Sequence, residues 1–261
     1  MQHVEVKVHG SVATIMMDRP QSRNALSPQM FADLRMALSD VHQEKRVGAV
    51  LLTGAGKHFC SGVDLKVFGE IADMPAHDAM TQWLSIWRQL TELLEEMLRF
   101  PKPIIAAVDG AAIGAGLALA LAADMLVMSN RATLSAIAVR RGLVGGATVA
   151  LLTFRFGAAI AARMSLAGET LDAEEAYRLG ICDRPVPAEQ IWVTATQIAD
   201  QCTRAPREAL QATKRLLNQG IGENLLTQLS VGAADSATAC TTDSAIEGIK
   251  SFLENREPQW P

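Results

Sequence analysis

Residues Pro103 to Gly116 read PIIAAVDGAAIGAG. The apolar run Ile104 to Val108 is the kind that lies buried on both faces of a parallel sheet. Asp109 and Gly110 turn the chain, and a helix of small residues follows from Gly114 to Ala123. A helix N-terminus leaves backbone N–H groups unpaired and carries partial positive charge. Small side chains let a ligand approach that backbone closely.

A similar unit precedes it. Val47 to Leu52 reads as a buried strand, and Thr53 to Gly62 as a glycine-containing loop whose exit, from Lys57 to Leu65, is KHFCSGVDL. Two such turns converging would offer two amides to one oxygen and so stabilise an oxyanion.

Working outward, Val4 to Val8 and Val12 to Met17 read as strands around a tight turn at His9, Gly10 and Ser11. Ser27 caps a helix with Pro28 at its first position, and Met30, Phe31, Leu34, Leu38 and Val41 follow helical spacing. An amphipathic helix is predicted from Ala76 to Arg99, with Trp83 and Trp87 one turn apart as core residues, and a buried strand from Met125 to Met128. From Ala147 onward nearly everything reads as helix: Asp172 caps one, Pro187 opens another, and Pro206 and Asp243 begin two more. Apolar faces such as Leu225, Leu226, Leu229 and Val231 would leave exposed patches on a monomer, which mark interfaces. The expectation is an α/β protein with a parallel sheet over residues 1–195 and a helical region over 196–261. No linker, low-complexity tract or clean internal repeat is present.

With 261 residues the chain can bury a full core. The net charge is -4 and there is no run of Lys or Arg, which speaks against nucleic acid and anionic membrane surfaces. Met1 leads straight into strand alternation, so no secretory signal is expected. The longest apolar stretch, Ala111 to Ala123, falls short of the ~20 residues of a membrane span. Cys60, Cys182, Cys202 and Cys240 are too widely spaced for zinc or redox pairs, so free thiols, no metal and a cytoplasmic setting are expected. Gly114-x-Gly116 imitates a dinucleotide fingerprint but lacks its third glycine and the acid at the ribose distance, and Gly56-Lys57 imitates a P-loop end but is followed by His58.

Four stretches, RNALSPQM from Arg23, HFCSGVDL from His58, KPIIAAVDGAAIGAG from Lys102 and DSAIEGIKSFLENR from Asp243, together resemble the signatures of the crotonase (enoyl-CoA hydratase/isomerase) superfamily. They fall in the right order and span nearly the whole chain. The resemblance implies a spiral of ββα units with a helical C-terminal trimerisation region, and a homotrimer or hexamer. It also implies an acyl-CoA thioester substrate, with coenzyme A as part of the substrate and no separate cofactor. It gives the Val63 and Ala115 N–H groups to an oxyanion hole, and Arg23, Ala25, Ser61, Asp64 and Leu65 to the loops lining coenzyme A. Asp64 has the alternative of bracing its loop. Family members often carry Lys-Arg near the C-terminus, where it contacts phosphate from a neighbouring subunit; here the pair is Asn255-Arg256, leaving Arg256 alone for that task.

The chain departs from the family where hydratases carry two glutamates. Ala118 and Ala138 stand there, and Asp124 is the single acid between Gly110 and Gly168. Hydration needs one group to activate water and another to protonate the α-carbon, and alanine does neither. The turn from Gly142 to Thr148 reads as short and lacks the family's usual proline; its Gly146-Ala147-Thr148 echoes crotonase-like decarboxylases of polyketide β-branching. Candidate replacement acids or bases are His77, Asp78 and Glu70, with His58 and Thr91 behind them, each having a solvated surface role as its alternative. Arg140 and Arg141 are either a solvated turn or an anion contact. Four readings stand open: an acyl-CoA enzyme working through its oxyanion hole, a crotonase-like decarboxylase, a non-catalytic CoA-binding or scaffold protein, and a hydratase or isomerase with displaced acids.

Overall fold

The computed structural model describes residues 1–219 and 222–261. Strands β1 (Val4–His9) and β2 (Val12–Met17) form the expected hairpin. β2 pairs in parallel with β3 (Ala49–Gly54), β3 with β4 (Ile104–Val108) and β4 with β6 (Met125–Met128), giving a five-stranded sheet in the order β1-β2-β3-β4-β6. β3 starts and ends two residues later than the apolar run predicts, because its pairing with β2 carries on through Thr53 and Gly54.

The sheet explains why its inner strands are largely apolar while the edge strand β1 alternates. Alternate residues point to opposite faces. Ala13, Ile15, Met17, Val50, Leu52, Ala106 and Val108 belong to the main core with helices α1 (Pro28–Gln43), α3 (Ala76–Arg99) and α4 (Ala115–Ala122). Val12, Ala49, Leu51, Ile105, Ala107 and Val127 meet Ile191, Ala195 and Ala199 of α7 (Ile191–Thr203) on the other face. The expected division after residue 195 therefore falls inside a helix that seals the sheet. Pro187 opens a single 3₁₀ turn, Ala188–Gln190, and α7 follows directly.

A second, three-stranded sheet of β5 (Ala111–Ile113), β7 (Thr133–Ser135) and β8 (Thr170–Asp172) lies beyond the first. Its strands are too short to show a period, and β8 interrupts the region read as almost wholly helical. Helix α2 (Leu65–Ala72), capped by Asp64, was also not foreseen. The remaining helices are α5 (Gly146–Leu166), α6 (Ala173–Arg178), α8 (Arg207–Gln219), α9 (Gly222–Ala239) and α10 (Asp243–Leu253). α5 has the length and hydropathy of a membrane span, but Gly157 breaks it at a φ of 83° and its first turns are buried beside α4 and α9. α9 packs on α3 and α5, so Leu225 and Leu229 are buried within the chain, Leu226 is half-buried, and of the expected exposed patch only Val231 remains exposed.

Phe68 of α2 meets Trp83 and Trp87 of α3 edge-on, with ring centroids 4.8 and 5.7 Å apart, which confirms both tryptophans as core. Asp124 is half-buried at the foot of β6. Its Oδ2 accepts from the Ile104 N–H and from Lys214 Nζ, both at 2.7 Å.

Candidate functional site

The loop at 19–26 is built around Asn24. Arg23 and Asn24 both adopt left-handed backbone, at φ 52° and 55°, which asparagine tolerates better than most residues. Asn24 is fully buried. Its Nδ2 reaches the carbonyls of Ala55, His58 and Phe59 at 2.8–3.1 Å, and its Oδ1 accepts from the Arg19 N–H at 2.9 Å. One side chain thus ties the first loop to the second. Sequence inspection placed Asn24 in a motif without this role; the signal was a polar amide beside an apolar helix start.

The second loop is stitched on both sides. Leu26 N–H donates to Gly62 O and Asp64 N–H to Leu26 O, while Cys60 N–H donates to Ala111 O and Ile113 N–H to Cys60 O. These bridges occupy the Gly62 carbonyl and the Asp64 N–H on either side of the Val63 N–H. Among the described residues nothing accepts the Val63 N–H or the Ala115 N–H. Gly62, at φ +91°, is where the two segments meet: a Cβ there would lie 2.7 Å from Ile113 O and 3.4 Å from Ala115 N. Val63 N is one peptide bond further on. Two unpaired donors therefore sit beside one another at the start of α4, where the helix end already favours negative charge.

The residue before Ala115 is held on both its polar groups. Gly114 adopts φ 53° and ψ −118°, a region open to glycine alone. Its N–H donates to Ser135 O at 2.8 Å, and its carbonyl accepts from the Ala118 N–H and from the Thr148 hydroxyl, both at 2.9 Å. Thr148, in the first turn of α5, is buried. The turn from Gly142 accordingly ends sooner than its sequence suggests, since Gly146, Ala147 and Thr148 are already helical.

The other expected residues fall as follows. Ala25 is buried, Ser61 and Leu65 are half-buried beside Val63, and Arg23 is exposed. Asp64 braces its loop: its carboxylate caps α2 through the Lys66 N–H at 3.1 Å and pairs with Arg19 at 3.0 Å. Arg256 is held by Glu247 and Glu254 of its own chain, and these bonds bring the Glu247 carboxyl down to about 2. Ala118 is sealed in the core at 0 % exposure. Ala138 is half-buried in the 3₁₀ turn Ile137–Arg141, where its Cβ would stand 3.4 Å from one placed on Gly145.

Among the described residues no side-chain hydrogen bond or ion pair ties the replacement acids to these groups. His77 and Asp78 are exposed in the first turn of α3, and Glu70 is exposed in a surface groove shared with Lys66, Asp73, Lys250 and Leu253. His58 is tied to backbone, its Nδ1 accepting from the Ala111 N–H at 3.4 Å. Burial, then the nearby Arg23 and Arg131 charges, push its pKa down and keep the ring neutral at pH 7. Thr91 is buried in α3, its hydroxyl unpaired among the described residues. Arg140 donates to Ala167 O, and Arg141 stacks 5.1 Å from the centre of the Phe252 ring, so both serve contacts within the chain. Burial raises the Cys60 thiol to about 12, which leaves it inert.

A pair of unpaired amides at two strand exits is an arrangement able to donate to a single oxygen atom. The chain belongs to the enoyl-CoA hydratase/isomerase family, whose profile matches residues 7–261. It is 32% identical over 263 residues to the 1,2-epoxyphenylacetyl-CoA isomerase of Escherichia coli K12, covering 100% of this chain and 98% of that one. It is 33% identical over 262 residues to a Rhodobacter capsulatus protein named "Probable enoyl-CoA hydratase", covering 98% and 97%. The crystal structure of an enoyl-CoA hydratase from Mycobacterium avium subsp. paratuberculosis K-10 superposes with a TM-score of 0.86 at 24% identity, over 99% and 98% of the two chains, which establishes the crotonase fold.

Proposed function

We propose that this protein binds an acyl-CoA thioester and stabilises its enolate through the N–H groups of Val63 and Ala115, without the two-carboxylate chemistry of hydration. The observation that carries the reading is the meeting of these two unpaired amides at Gly62. The thioester carbonyl accepts both, and the negative charge that develops on its oxygen is met by donors already in place. The relatives' names point to CoA thioesters as the substrate class. Coenzyme A arrives with the substrate, and the chain supplies no cofactor of its own. Ala25, Ser61 and Leu65 line its path. Asp64 holds that loop, and Arg256 reaches a phosphate only if it gives up its carboxylate partners.

Position 118 offers a methyl group, position 138 another, and the carboxylate of Asp124 is already bonded. Decarboxylation is the reaction this arrangement favours. The bond from the α-carbon to a substrate carboxylate breaks, its electron pair enters the enolate, CO2 leaves, and the α-carbon later takes a proton from water. Trimers or hexamers in the cytoplasm are the proposed state, with exposed Val231, Phe252, Leu216 and Leu217 as the apolar surface available for assembly.

The test is calorimetry with acetyl-CoA and coenzyme A, followed by a mass-spectrometric screen of acyl-CoA thioesters that includes malonyl and glutaconyl types. Micromolar binding and CO2 release are expected. Binding with no turnover of any thioester would instead mark a CoA-binding scaffold, and no heat up to millimolar ligand would overturn the reading.

A further inference from the structure

We infer that Thr148 is a positioning residue for the oxyanion donor at Ala115, a role that rests on the acyl-CoA reading above. The Gly114–Ala115 peptide is one rigid plane, with its carbonyl on one edge and the Ala115 N–H on the other. In a trans peptide the two point in opposite directions. Whatever fixes the carbonyl therefore fixes the donor. The Thr148 hydroxyl grips that carbonyl at 2.9 Å from a helix 34 residues away in sequence. The only other donor to it among the described residues, the Ala118 N–H, is a bond within the start of α4 and leaves the plane free to rock with that helix end.

The plane needs such a hold. Gly114 has no side chain to restrict it, and a Cβ built there meets nothing within 4 Å, so packing does not lock the turn. Its torsions, φ 53° and ψ −118°, are ones glycine reaches freely, and the hydrogen bonds on its N–H and carbonyl hold them. Donation to the carbonyl also polarises the peptide and strengthens its N–H as a donor. Thr148 is itself well anchored. It is 3 % exposed, and α5 is fastened to α9 by the bond from the Gly146 N–H to Ser236 Oγ at 3.1 Å. In a site lacking both carboxylates, the quality of the oxyanion donors is what remains to be tuned.

The experiment is difference infrared spectroscopy of acetyl-CoA labelled with ¹³C at the thioester carbonyl, bound to wild type, Thr148→Val and Thr148→Ser. Wild type should shift the carbonyl stretch to lower frequency. Thr148→Val should lose most of that shift while affinity falls about two- to tenfold, the worth of one hydrogen bond. Thr148→Ser should restore it. An unchanged shift in Thr148→Val would overturn the role of Thr148 while leaving the acyl-CoA reading standing. If wild type binds acetyl-CoA without any shift, the oxyanion reading and this inference fall together. Should Thr148→Val not fold, Thr148→Ala set against Thr148→Ser decides by the same measurement.

Discussion

Gly62 approaches Ala115 so closely that a methyl group on the glycine would lie 3.4 Å from the Ala115 nitrogen, and 2.7 Å from the carbonyl of Ile113. At φ +91° the same methyl would also strain the backbone. Gly62→Ala should therefore cost roughly 2–4 kcal/mol and push the two donor amides apart. Thermal unfolding reads the first effect. Acetyl-CoA calorimetry reads the second, with at least about a tenfold loss of affinity expected. A variant that binds as tightly as wild type would show that the seam does not set the site.

Asn24→Ala should be as damaging from a greater distance. It removes the amide that satisfies three carbonyls and the oxygen that holds Arg19. Leaving such groups buried without partners costs roughly 2–4 kcal/mol in sum. Denaturant titration should show the midpoint fall, and proteolysis should move to the loop at 55–61.

Wild-type protein should hydrate crotonyl-CoA at least ~10³-fold more slowly than a two-glutamate enzyme, since each general acid or base contributes about 10²–10⁴. The two alanines differ in what they tolerate. Ala138 is half-buried, and Ala138→Glu should change stability by about 1 kcal/mol or less. Ala118 is sealed, and Ala118→Glu should cost roughly 3 kcal/mol or more by crowding the core with a carboxylate. Stability curves of the two variants and stopped-time hydration assays check both statements. A stable, fully active double variant would mean that the pocket beside Ala118 opens more readily than its burial implies.

His77→Ala, Asp78→Ala and Glu70→Ala should each leave stability within about 0.5 kcal/mol and thioester turnover unchanged, since all three side chains are exposed. A tenfold or greater loss of turnover in any one of them would identify a displaced acid or base.

Acid should loosen the chain start. Burial pushes the Asp33 carboxyl up, but bonds from the His3 N–H, the Gln29 amide and the Gln2 N–H outweigh it and bring it below its ordinary 3.8. A carboxylate lowered in the folded state gives stability that is whole above pH 3.8 and lost as pH falls through the lowered value. Asp33→Asn should lower the melting temperature at neutral pH and flatten its fall in acid, as melting curves from about pH 3 to about pH 7 would record. An equally steep fall in the variant would assign the acid response elsewhere.

Much of the sheet was legible because its strands alternate between two apolar faces, and that leaves long apolar runs such as Ile104 to Val108. Ser27, Asp64 and Asp172 are caps whose chemistry is local. Of these, Ser27 and Asp172 were foreseen as caps, while Asp64 was first assigned to coenzyme A with loop bracing as its alternative. The short strands β5, β7 and β8 were not legible, because three residues show no period and are fixed by pairing partners far away. Leu225 and Leu229 carried the right spacing but the wrong conclusion, since spacing marks an apolar face without saying what covers it.

By itself the sequence determined the order of the elements, the family, the glycines at the two strand exits, and the alanines at positions 118 and 138. These are statements about residue type and neighbours along the chain. Tertiary structure alone decided that Gly62 touches Ala115, that Asn24 joins two loops, that Asp64 and Arg256 are already engaged by their own chain, and that Thr148 grips the carbonyl of Gly114. Those contacts join residues from 31 to 53 positions apart, or bind a side chain to a partner it might have left for solvent. Hydrogen bonds of that kind depend on distance and angle in space, and no local preference encodes them.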